Sequence, residues 1–488
     1  MTSPEVPHAL DPLGLRADAP LLDAYLDYLE KDVTPFHTPG HKNQTRRMGV
    51  VLQGDVTLYG GVDTIRGHHK HLDRAEQLAA QLWGGDWCRF SVAGSTHANQ
   101  ALSLAVASPG DTVVVSRMLH RSLLLGLVLA GLRPVWVTPE VDWDLGLPVG
   151  VRPETVVRAL ATHPEAKAVF LVDPSYVGTV SLLEEHAEVA HAHGIPLIVD
   201  QAWGGHFGFS PQVPQHALQL GADALVTSVH KALTGYTQSA LVVARTERFD
   251  VDRLQRAFDA THTTSPAGQI VGSIDATRAL LARDGAELIA ETVRIGDLGR
   301  DLLRDVEGLA VVDGSVMPQG ARFDPTKLVV ALAGTGADGV LVDDDLAEIG
   351  YPVEYSDRDT VVATLSVFDE EVDVTGLVGA LRDVVERRRG VAREVRPHVA
   401  WTVEPETVLR PRDAFFAEQE TVPAEQAVGR VCAEIVAPYP PGVPVLAPGE
   451  RITRTTLEAL QEVKDGGAMV RYAADPQLST FRVVREQS

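Results

Sequence analysis

Short apolar segments alternate with amphipathic ones between about residues 85 and 245 of this chain. The apolar segments have the length and composition of buried strands, while the segments between them follow helical periodicity. This alternation predicts a mostly parallel sheet covered by helices on both faces, with ligands bound where its strands end. Strands are expected near 88–92, 112–116, 133–138, 167–172, 195–200, 223–227 and 239–244, and helices near 97–107, 120–131, 153–163 and 181–193.

The pattern changes on both sides of this region. Residues 1 to about 20 are rich in Pro, Asp and Ala, which is typical of a loosely held arm, and a short amphipathic helix follows near 21–31. Asp73 is expected to cap a further helix, and Ser265-Pro266 marks the start of a long helical stretch to about Val306. We expect an N-terminal arm (1–70), a large sheet domain (71–306), a smaller α/β domain (307–394) and a C-terminal α+β domain (395–488).

Composition and charge exclude several classes of function. The 488 residues carry a formal net charge of −23, from 43 basic and 66 acidic residues, which argues against nucleic-acid binding. No apolar run is as long as a membrane span, and the N-terminal sequence lacks the features of a secretion signal, so we expect a cytoplasmic protein. The two cysteines, Cys88 and Cys432, suit a reducing compartment. No metal site is expected, because His37 and His41 have no acidic or cysteine partners at ligand spacing.

Lys231 is the most informative single residue. It lies in T-S-V-H-K-A-L-T-G at 227–235, just after the apolar run A-D-A-L-V, so we expect it past the end of a buried strand. Burial lowers the pKa of an amine and leaves more of it neutral and nucleophilic, which is the form that reacts with an aldehyde cofactor. Ser228 and His230 flank the lysine and could hold a phosphate. The alternative is an ordinary lysine that points to solvent.

Asp200 ends the neighbouring predicted strand, I-P-L-I-V-D, 31 residues before Lys231. That interval has room for a loop, a helix and the next strand, so both side chains can reach one pocket. A carboxylate at the carboxyl end of a parallel strand can pair with a cationic ring nitrogen. Such an aspartate also serves in many proteins as a helix cap or turn residue.

The loop S-V-A-G-S-T-H-A-N-Q at 91–100 brings small residues to the start of a helix. The free N–H groups and the dipole of a helix start favour an anion, and the hydroxyls of Ser95 and Thr96 add donors, so a phosphate fits here. A plain helix cap needs only one such hydroxyl. The turn at 171–180 places Ser175 and Tyr176 at the same sheet edge, where their hydroxyls either bind a ligand or close the turn.

Long segments of the chain resemble the Orn/Lys/Arg decarboxylase family, which are pyridoxal-phosphate enzymes with the fold of aspartate aminotransferase. The resemblance runs from T-P-F-H-T-P-G-H-K at 34–42 to P-Y-P-P-G-V-P-V-L-A-P-G-E at 438–450. It implies that Lys231 binds the aldehyde of pyridoxal 5'-phosphate and that Asp200 keeps the ring nitrogen protonated. The residues that it assigns to the cofactor phosphate are Ser95, Thr96, Ser228 and His230.

The resemblance also implies that His120 and Ala202 lie on the two faces of the cofactor ring. It implies a homodimer or larger homo-oligomer, in which a segment of one subunit reaches the phosphate bound by its neighbour. The residues of that segment are Thr263, Thr264 and Ser265. Because the 34–42 segment comes so early, the chain resembles the short members of the family, which lack a receiver-like domain and the ring assemblies that depend on it.

The activity implied is decarboxylation of a basic amino acid to the corresponding amine, with arginine as the first choice and lysine or ornithine next. The proton returned to the substrate would come from Lys231, His120 or His230. Many relatives carry an acid and a histidine where this chain has Gln201 and Trp203, a departure that bears on the substrate more than on the cofactor.

A cationic substrate calls for a carboxylate at its distal end. The candidate substrate residues are Ser175, Tyr176 and Trp203 together with the acids Asp63, Glu354, Asp357 and Glu450. Two alternatives remain open, because a fold does not fix a reaction. One is another pyridoxal-phosphate reaction, such as transamination or oxidation of an arginine-like substrate, and the other is a non-catalytic regulatory homologue.

Overall fold

The computed structural model describes residues 10–31, 33, 35–42, 49–63, 70–317, 321–439, 442–465 and 469–486, so residues 1–9 of the expected arm lie outside it. Its strands are β1 (Trp87–Ser91), β2 (Thr112–Ser116), β3 (Arg133–Val137), β4 (Glu140–Asp142), β5 (Leu147–Gly150), β6 (Val169–Val172), β7 (Thr179–Val180), β8 (Leu197–Asp200), β9 (Ala224–Ser228), β10 (Ala240–Ala244), β11 (Ala310–Val312), β12 (Arg322–Phe323), β13 (Lys327–Ala331), β14 (Tyr355–Ser356), β15 (Thr360–Thr364), β16 (Gln419–Pro423), β17 (Ala437–Tyr439), β18 (Met469–Arg471) and β19 (Thr480–Val484). Its α-helices are α1 (Pro20–Glu30), α2 (Lys70–Leu82), α3 (Gly94–Val106), α4 (Arg121–Ala130), α5 (Pro153–Thr162), α6 (Leu183–Ala192), α7 (Val251–Thr261), α8 (Gly268–Leu303), α9 (Gly339–Glu348), α10 (Glu371–Arg387), α11 (Val399–Thr402), α12 (Pro411–Phe416), α13 (Ala424–Ala427) and α14 (Arg454–Asp465).

The large sheet has seven strands in the order β1-β10-β9-β8-β6-β2-β3. Strands β3, β2, β6, β8 and β9 run parallel to one another, while β10 lies antiparallel between β9 and β1. The prediction of a mostly parallel sheet is therefore confirmed. Strands β2, β9 and β10 are buried along their whole length, as continuous apolar runs are when both faces of a sheet are covered.

Successive residues of a central strand point into two different hydrophobic cores. In β8, Val199 belongs to the core formed with α2, α5, α6 and part of α8, while Ile198 belongs to the core formed with α3, α4 and α7. This alternation follows from the two-residue period of a strand. It leaves the strand ends, where the loops begin, as the place where polar side chains can gather.

A second, antiparallel sheet of four strands in the order β11-β13-β15-β14 follows. The end of α8 packs on it together with α9 and α10, so the long helix connects the two sheets. The C-terminal segment pairs β16 with β19 and β17 with β18 around a further core. These separate cores agree with the expected order of units, and the domain limits at 306 and 394 stay a prediction.

Three local expectations need correction. Helix α2 begins at Lys70, so Asp73 lies in its first turn and does not cap it. Helix α7 was not expected; it has an Asp250 cap whose side chain accepts a hydrogen bond from the N–H of Arg253. The long helix begins at Gly268, two residues beyond the Ser265-Pro266 signal. Among the described residues, no helix is both long enough and apolar enough to cross a membrane.

Candidate active site

The carboxyl ends of strands β8 and β9 open into a cavity of about 340 Å³. The start of α3 and the loops after β2 and β6 close it, as the position of a ligand site in an open α/β sheet requires. Most of the residues expected at the site line it: Ser95, Thr96, His120, Tyr176, Asp200, Ala202, Trp203, Ser228, His230 and Lys231. The structure thus brings together the lysine and the aspartate on which the sequence prediction depends.

Lys231 lies in the loop that follows β9, partly buried against aromatic rings. Its Nζ is 4.0 Å from the centroid of the Trp203 ring and 6.0 Å from that of Tyr176. Burial lowers the pKa of this amine, and the negative charges of Asp200 and Glu354 oppose that effect. A lysine in this environment has a larger neutral fraction than one in water, which is the form that attacks an aldehyde.

Asp200 is buried at the last position of β8, with neutral donors around it. Its Oδ2 accepts a hydrogen bond from the amide of Asn99 at 2.7 Å, and its Oδ1 accepts one from the N–H of Ala202 at 3.2 Å. Burial raises the pKa of this carboxyl group, while Lys231 and the hydrogen bonds oppose that effect. No arginine or lysine forms a salt bridge with Asp200 within the described part of the chain.

A hydrogen-bonded chain joins Asp200 to His120. The amide of Asn99 donates both to Asp200 and to the hydroxyl of Ser122, the latter at 3.0 Å. The Nδ1 atom of His120 accepts from the N–H of Ser122 at 3.2 Å and lies 2.9 Å from its hydroxyl. Because Nδ1 accepts, the ring proton of neutral His120 is on Nε2. Burial lowers the pKa of this histidine to about 4, which keeps it neutral at pH 7.

His230 has the opposite proton arrangement. Its Nδ1 lies 2.8 Å from the carbonyl oxygen of Ser239, which can only accept a hydrogen bond, so Nδ1 carries the proton. Burial lowers the pKa of His230 as well. The Nε2 atom of this neutral ring is therefore an acceptor. The two histidines at the cavity differ in what they can offer a ligand: His120 a donor, His230 a lone pair.

The start of helix α3 forms the other end of the cavity. No side chain among the described residues caps this helix, and Gly94 at its first position has a φ of +68°, a conformation that glycine adopts without strain. The hydroxyls of Ser95 and Ser228 lie 2.7 Å apart across the cavity wall, which joins α3 to the end of β9. A helix start with free donors and two convergent hydroxyls suits a phosphate.

Residues 19–352 match the family model described as Orn/Lys/Arg decarboxylase, major domain, and residues 396–468 match the one described as Orn/Lys/Arg decarboxylase, C-terminal domain. This chain belongs to the Orn/Lys/Arg decarboxylase family. The resemblance drawn from the sequence is confirmed.

Known relatives cover nearly the full length of this family member. An arginine decarboxylase of Halalkalibacterium halodurans is 33% identical, over 97% of this chain and 99% of its own. An arginine decarboxylase of Bacillus subtilis is 32% identical, over 96% of this chain and 98% of its own. A lysine decarboxylase of Francisella novicida shares the fold, with a TM-score of 0.80 at 18% identity over 96% of this chain and 81% of its own.

Of the expected substrate residues, only Tyr176 and Trp203 line the cavity of this family member, and two of the others are held by internal partners. Ser175 bonds its hydroxyl to that of Thr179 at 2.6 Å, which supports the alternative that it closes the turn. Glu450 is held by Arg117 through two hydrogen bonds of 2.6 and 2.9 Å, with both side chains buried. Its charge is therefore already neutralised inside the protein.

The other expected residues also lie outside the lining of this cavity. Glu354 and Asp357 line a second cavity of about 450 Å³ between the second sheet and the C-terminal segment. Asp63 accepts a hydrogen bond from the N–H of Leu72 at 3.0 Å. The exposed loop between α7 and α8 carries Thr263, Thr264 and Ser265, none of which lines either cavity.

Three residues at the site were missed by sequence reasoning. Asn99 could have been found, because it follows Ser95 by four positions and so lies on the same face of a helix. Gln238, whose carbonyl oxygen accepts from the N–H of Gly94 at 2.8 Å, gave no signal in the sequence. Lys327 begins the apolar run K-L-V-V-A, and a lysine in such a run is a signal that was overlooked.

Proposed function

We propose that this protein is a pyridoxal-phosphate-dependent decarboxylase of a basic amino acid, with arginine as the first substrate and lysine or ornithine next. The observation that carries the proposal is the meeting of Lys231 and Asp200 at one cavity, at the ends of adjacent strands. The family membership and the full-length relatives named arginine decarboxylases support it.

The residues present fit the cofactor. Asp200 is a buried carboxylate that forms no salt bridge with another described residue, which suits a protonated ring nitrogen. Trp203 lines the cavity, and its Nε1 atom is a buried donor without a hydrogen-bond partner among the described residues. The residues that would hold the phosphate are Ser95, Thr96 and Ser228, through their hydroxyls, and His230, which would need a second proton on Nε2 to donate to it; those that would contact the ring are His120 and Ala202.

When bound, pyridoxal phosphate withdraws electrons from the bond that breaks as carbon dioxide leaves. Asp200 stabilises the positive charge on the ring nitrogen. Lys231, with its pKa lowered by burial, would supply the amine that holds the cofactor. The aromatic rings of Trp203 and Tyr176 shield this amine from water.

His120 is better suited than His230 to provide a hydrogen-bond proton at the site where the substrate is reprotonated. Neutral His120 carries its proton on Nε2, since Nδ1 accepts from Ser122, whereas the proton of neutral His230 is committed to the carbonyl of Ser239. Lys231 is a second donor, because its amine can take up a proton and then pass that proton to the substrate. We propose the ammonium form of Lys231 as the proton donor and His120 as a hydrogen-bond donor through Nε2–H, because loss of that ring proton would leave an imidazolate anion.

Glu354 is our candidate for the distal cation of the substrate. It is exposed, forms no salt bridge with another described residue, and interacts electrostatically with Lys231 and Tyr176 at the first cavity. Asp357 is less available, because the hydroxyl of Tyr355 and the N–H groups of Asp359 and Thr360 already bond to it. Glu354 opens on the second cavity, whose walls withdraw it in part from water and so raise its pKa, while the charges of Lys327 and Lys231 oppose that effect.

We also propose a homodimer or larger homo-oligomer in the cytoplasm, in which Thr263, Thr264 and Ser265 contact the phosphate bound by the neighbouring subunit. Their exposure on a loop leaves them accessible to a second copy of the chain. Sedimentation of the cofactor-loaded protein tests this proposal, and a fully active monomer would contradict it.

The activity is tested by supplying the protein with cofactor and measuring carbon dioxide and amine from arginine, lysine and ornithine in parallel. We expect release from at least one of them, with arginine the fastest. A keto acid or peroxide in place of the amine would identify another pyridoxal-phosphate reaction. No turnover of any of the three, by a protein that still binds cofactor, would reject the decarboxylase proposal and favour a regulatory homologue.

A further inference from the structure

Lys327, the first residue of β13, is a charged side chain in an unusual position. It has no exposed surface, although lysine is almost never fully buried unless it is paired. Its Nζ donates to the hydroxyl of Thr364 at 2.7 Å, and no carboxylate lies within salt-bridge distance among the described residues. A cation held without an opposite charge is costly, so its position calls for another explanation.

The indole of Trp203 supplies that explanation. The Nζ of Lys327 lies 3.8 Å from the centroid of this ring, and the Nζ of Lys231 lies 4.0 Å from the same centroid. The two amines are therefore at most about 8 Å apart. Trp203 lines the cavity and Lys327 does not. Lys327 can thus act on the site only through the ring and through its charge.

We propose that Lys327 is a positioning residue of the active site, which holds the Trp203 indole from the second sheet and uses its positive charge to favour the neutral form of Lys231. A cation over an indole face is attracted by the ring, so the contact orients the tryptophan. Two like charges at this separation disfavour each other, so the first proton leaves the lysine pair more easily.

Other charges around the pair oppose this effect without cancelling it. Burial, together with the charge of Lys231, lowers the pKa of Lys327 to about 8, with Asp324 and Glu354 acting in the other direction, so Lys327 is charged at pH 7. The titratable and charged groups that face the two lysines are Asp200, Glu354, Asp324, His206, Arg300, Tyr176, His120 and His230. Since all of them remain in a variant of Lys327, a change in that variant reports on Lys327 itself.

The inference rests on the proposed function in one respect, since a neutral Lys231 matters because that amine is to bind the cofactor. It is tested on cofactor-free protein, by competitive acylation of lysines across a pH series with peptide mass spectrometry as the readout. This measurement gives the pKa of Lys231 whether or not the protein proves to be a decarboxylase. Failure to bind cofactor would count against the proposed function alone.

Three variants are compared with the wild type. Lys327→Met keeps the length of the side chain and removes its charge, Lys327→Arg keeps a charge, and Lys167→Met removes an exposed lysine elsewhere. We expect Lys327→Met to raise the pKa of Lys231 by about one unit, which slows its labelling at pH 7 by about tenfold. Lys327→Arg and Lys167→Met should stay within about twofold of the wild type.

The wild type alone gives a second readout, which does not depend on the folding of a variant. Because the two lysines interact, labelling of Lys231 should follow two coupled steps, one of them near the pKa of Lys327. An unchanged pKa of Lys231 in Lys327→Met would overturn the proposal, and so would a single titration step in the wild type. Lower thermal stability of Lys327→Met with the Lys231 titration unaltered would mean that Lys327 serves packing only.

Discussion

Asp200 and Glu450 are two buried carboxylates at the same edge of the large sheet, and their surroundings differ. Glu450 is bonded to both ends of the Arg117 guanidinium, which directly follows β2, and to the N–H of Ala447 at 2.8 Å. In the part of the chain that the structure describes, Asp200 accepts hydrogen bonds from the neutral amide of Asn99 and from the N–H of Ala202. Burial raises the pKa of both acids.

The difference separates a structural acid from a functional one. The charges of Arg117 and Glu450 neutralise each other inside the protein, and the pair fixes the C-terminal segment to the edge of the large sheet. Asp200 lacks such a counter-charge and opens on a cavity, so a ligand can supply one. Burial alone does not distinguish Asp200 from Glu450, because both are buried. Their hydrogen-bond partners distinguish them.

Among the substitutions that test this comparison, Asp200→Asn should have the largest effect, and that effect is on activity. The substitution keeps the shape of the side chain and one acceptor oxygen, which can serve only one of the two donors, Asn99 and Ala202, and it removes the charge that stabilises the ring nitrogen. We expect carbon dioxide release to fall by about 10²- to 10³-fold, as when a preorganised electrostatic partner is removed. Turnover within about threefold of the wild type, in a protein that unfolds normally, would show that Asp200 is structural too.

Arg117→Met tests the other acid. It leaves Glu450 buried without a counter-charge, and we expect the free energy of unfolding in urea to fall by about 3 to 5 kcal/mol. The double variant Arg117→Met with Glu450→Met should regain most of that loss, because no charge is left stranded. If the single variant were as stable as the wild type, the pair would not fix the segment as described.

Glu354→Gln sharpens the assignment of the substrate acid. Loss of one charged hydrogen bond to the distal cation should raise the KM for arginine by about tenfold, with kcat changed much less. Asp344→Asn, which removes a negative charge from the same second cavity, is the matched control and should leave KM within about twofold. A normal KM in Glu354→Gln with a raised one in Asp357→Asn would transfer the role to Asp357.

His120→Asn gives the smallest effect and concerns pH. The folded pKa of His120 is about 4, below that of an unfolded histidine near ~6.5, so the unfolded state binds more protons between these values. Stability contributed by neutral His120 is therefore present above about pH 6.5 and is lost as pH falls towards 4. Asparagine also caps a helix well, so α4 should persist.

Urea unfolding at pH 7.5 and at pH 5.5 measures this contribution. The difference in unfolding free energy between the two pH values should shrink by about 1 kcal/mol in His120→Asn. An unchanged difference would mean that His120 is protonated in the folded protein at pH 5.5, contrary to its burial beside Arg121 and Lys231.

The strands and the Lys231–Asp200 pair were predictable because their signals are local. An apolar run fixes where a strand ends, and the parallel arrangement brings neighbouring strand ends to one edge, so the residue after each run is placed in advance. The same logic located Ser95, whereas His120 was expected at the site only from the family resemblance. Asn99 follows from helical spacing once α3 is assigned.

The positions of the acids predicted to bind the substrate depend on packing between distant segments of the chain. Glu450 meets Arg117, which lies 333 positions earlier, and that contact depends on how the C-terminal segment packs on the sheet. The position of Glu354 depends on how the second sheet lies against the first cavity, and Lys327 reaches Trp203 from the same sheet. Such contacts leave no periodic pattern in the sequence, so they could not be predicted from it.

The most direct test of the central claim is to identify the lysine that carries the cofactor. Borohydride reduction makes the bond between lysine and pyridoxal phosphate permanent, and peptide mass spectrometry then locates it. We expect the label on Lys231 and its loss in Lys231→Ala, while Asp200→Asn still shows some label there. A label on Lys327 or on any other lysine in place of Lys231 would contradict the assignment of this site.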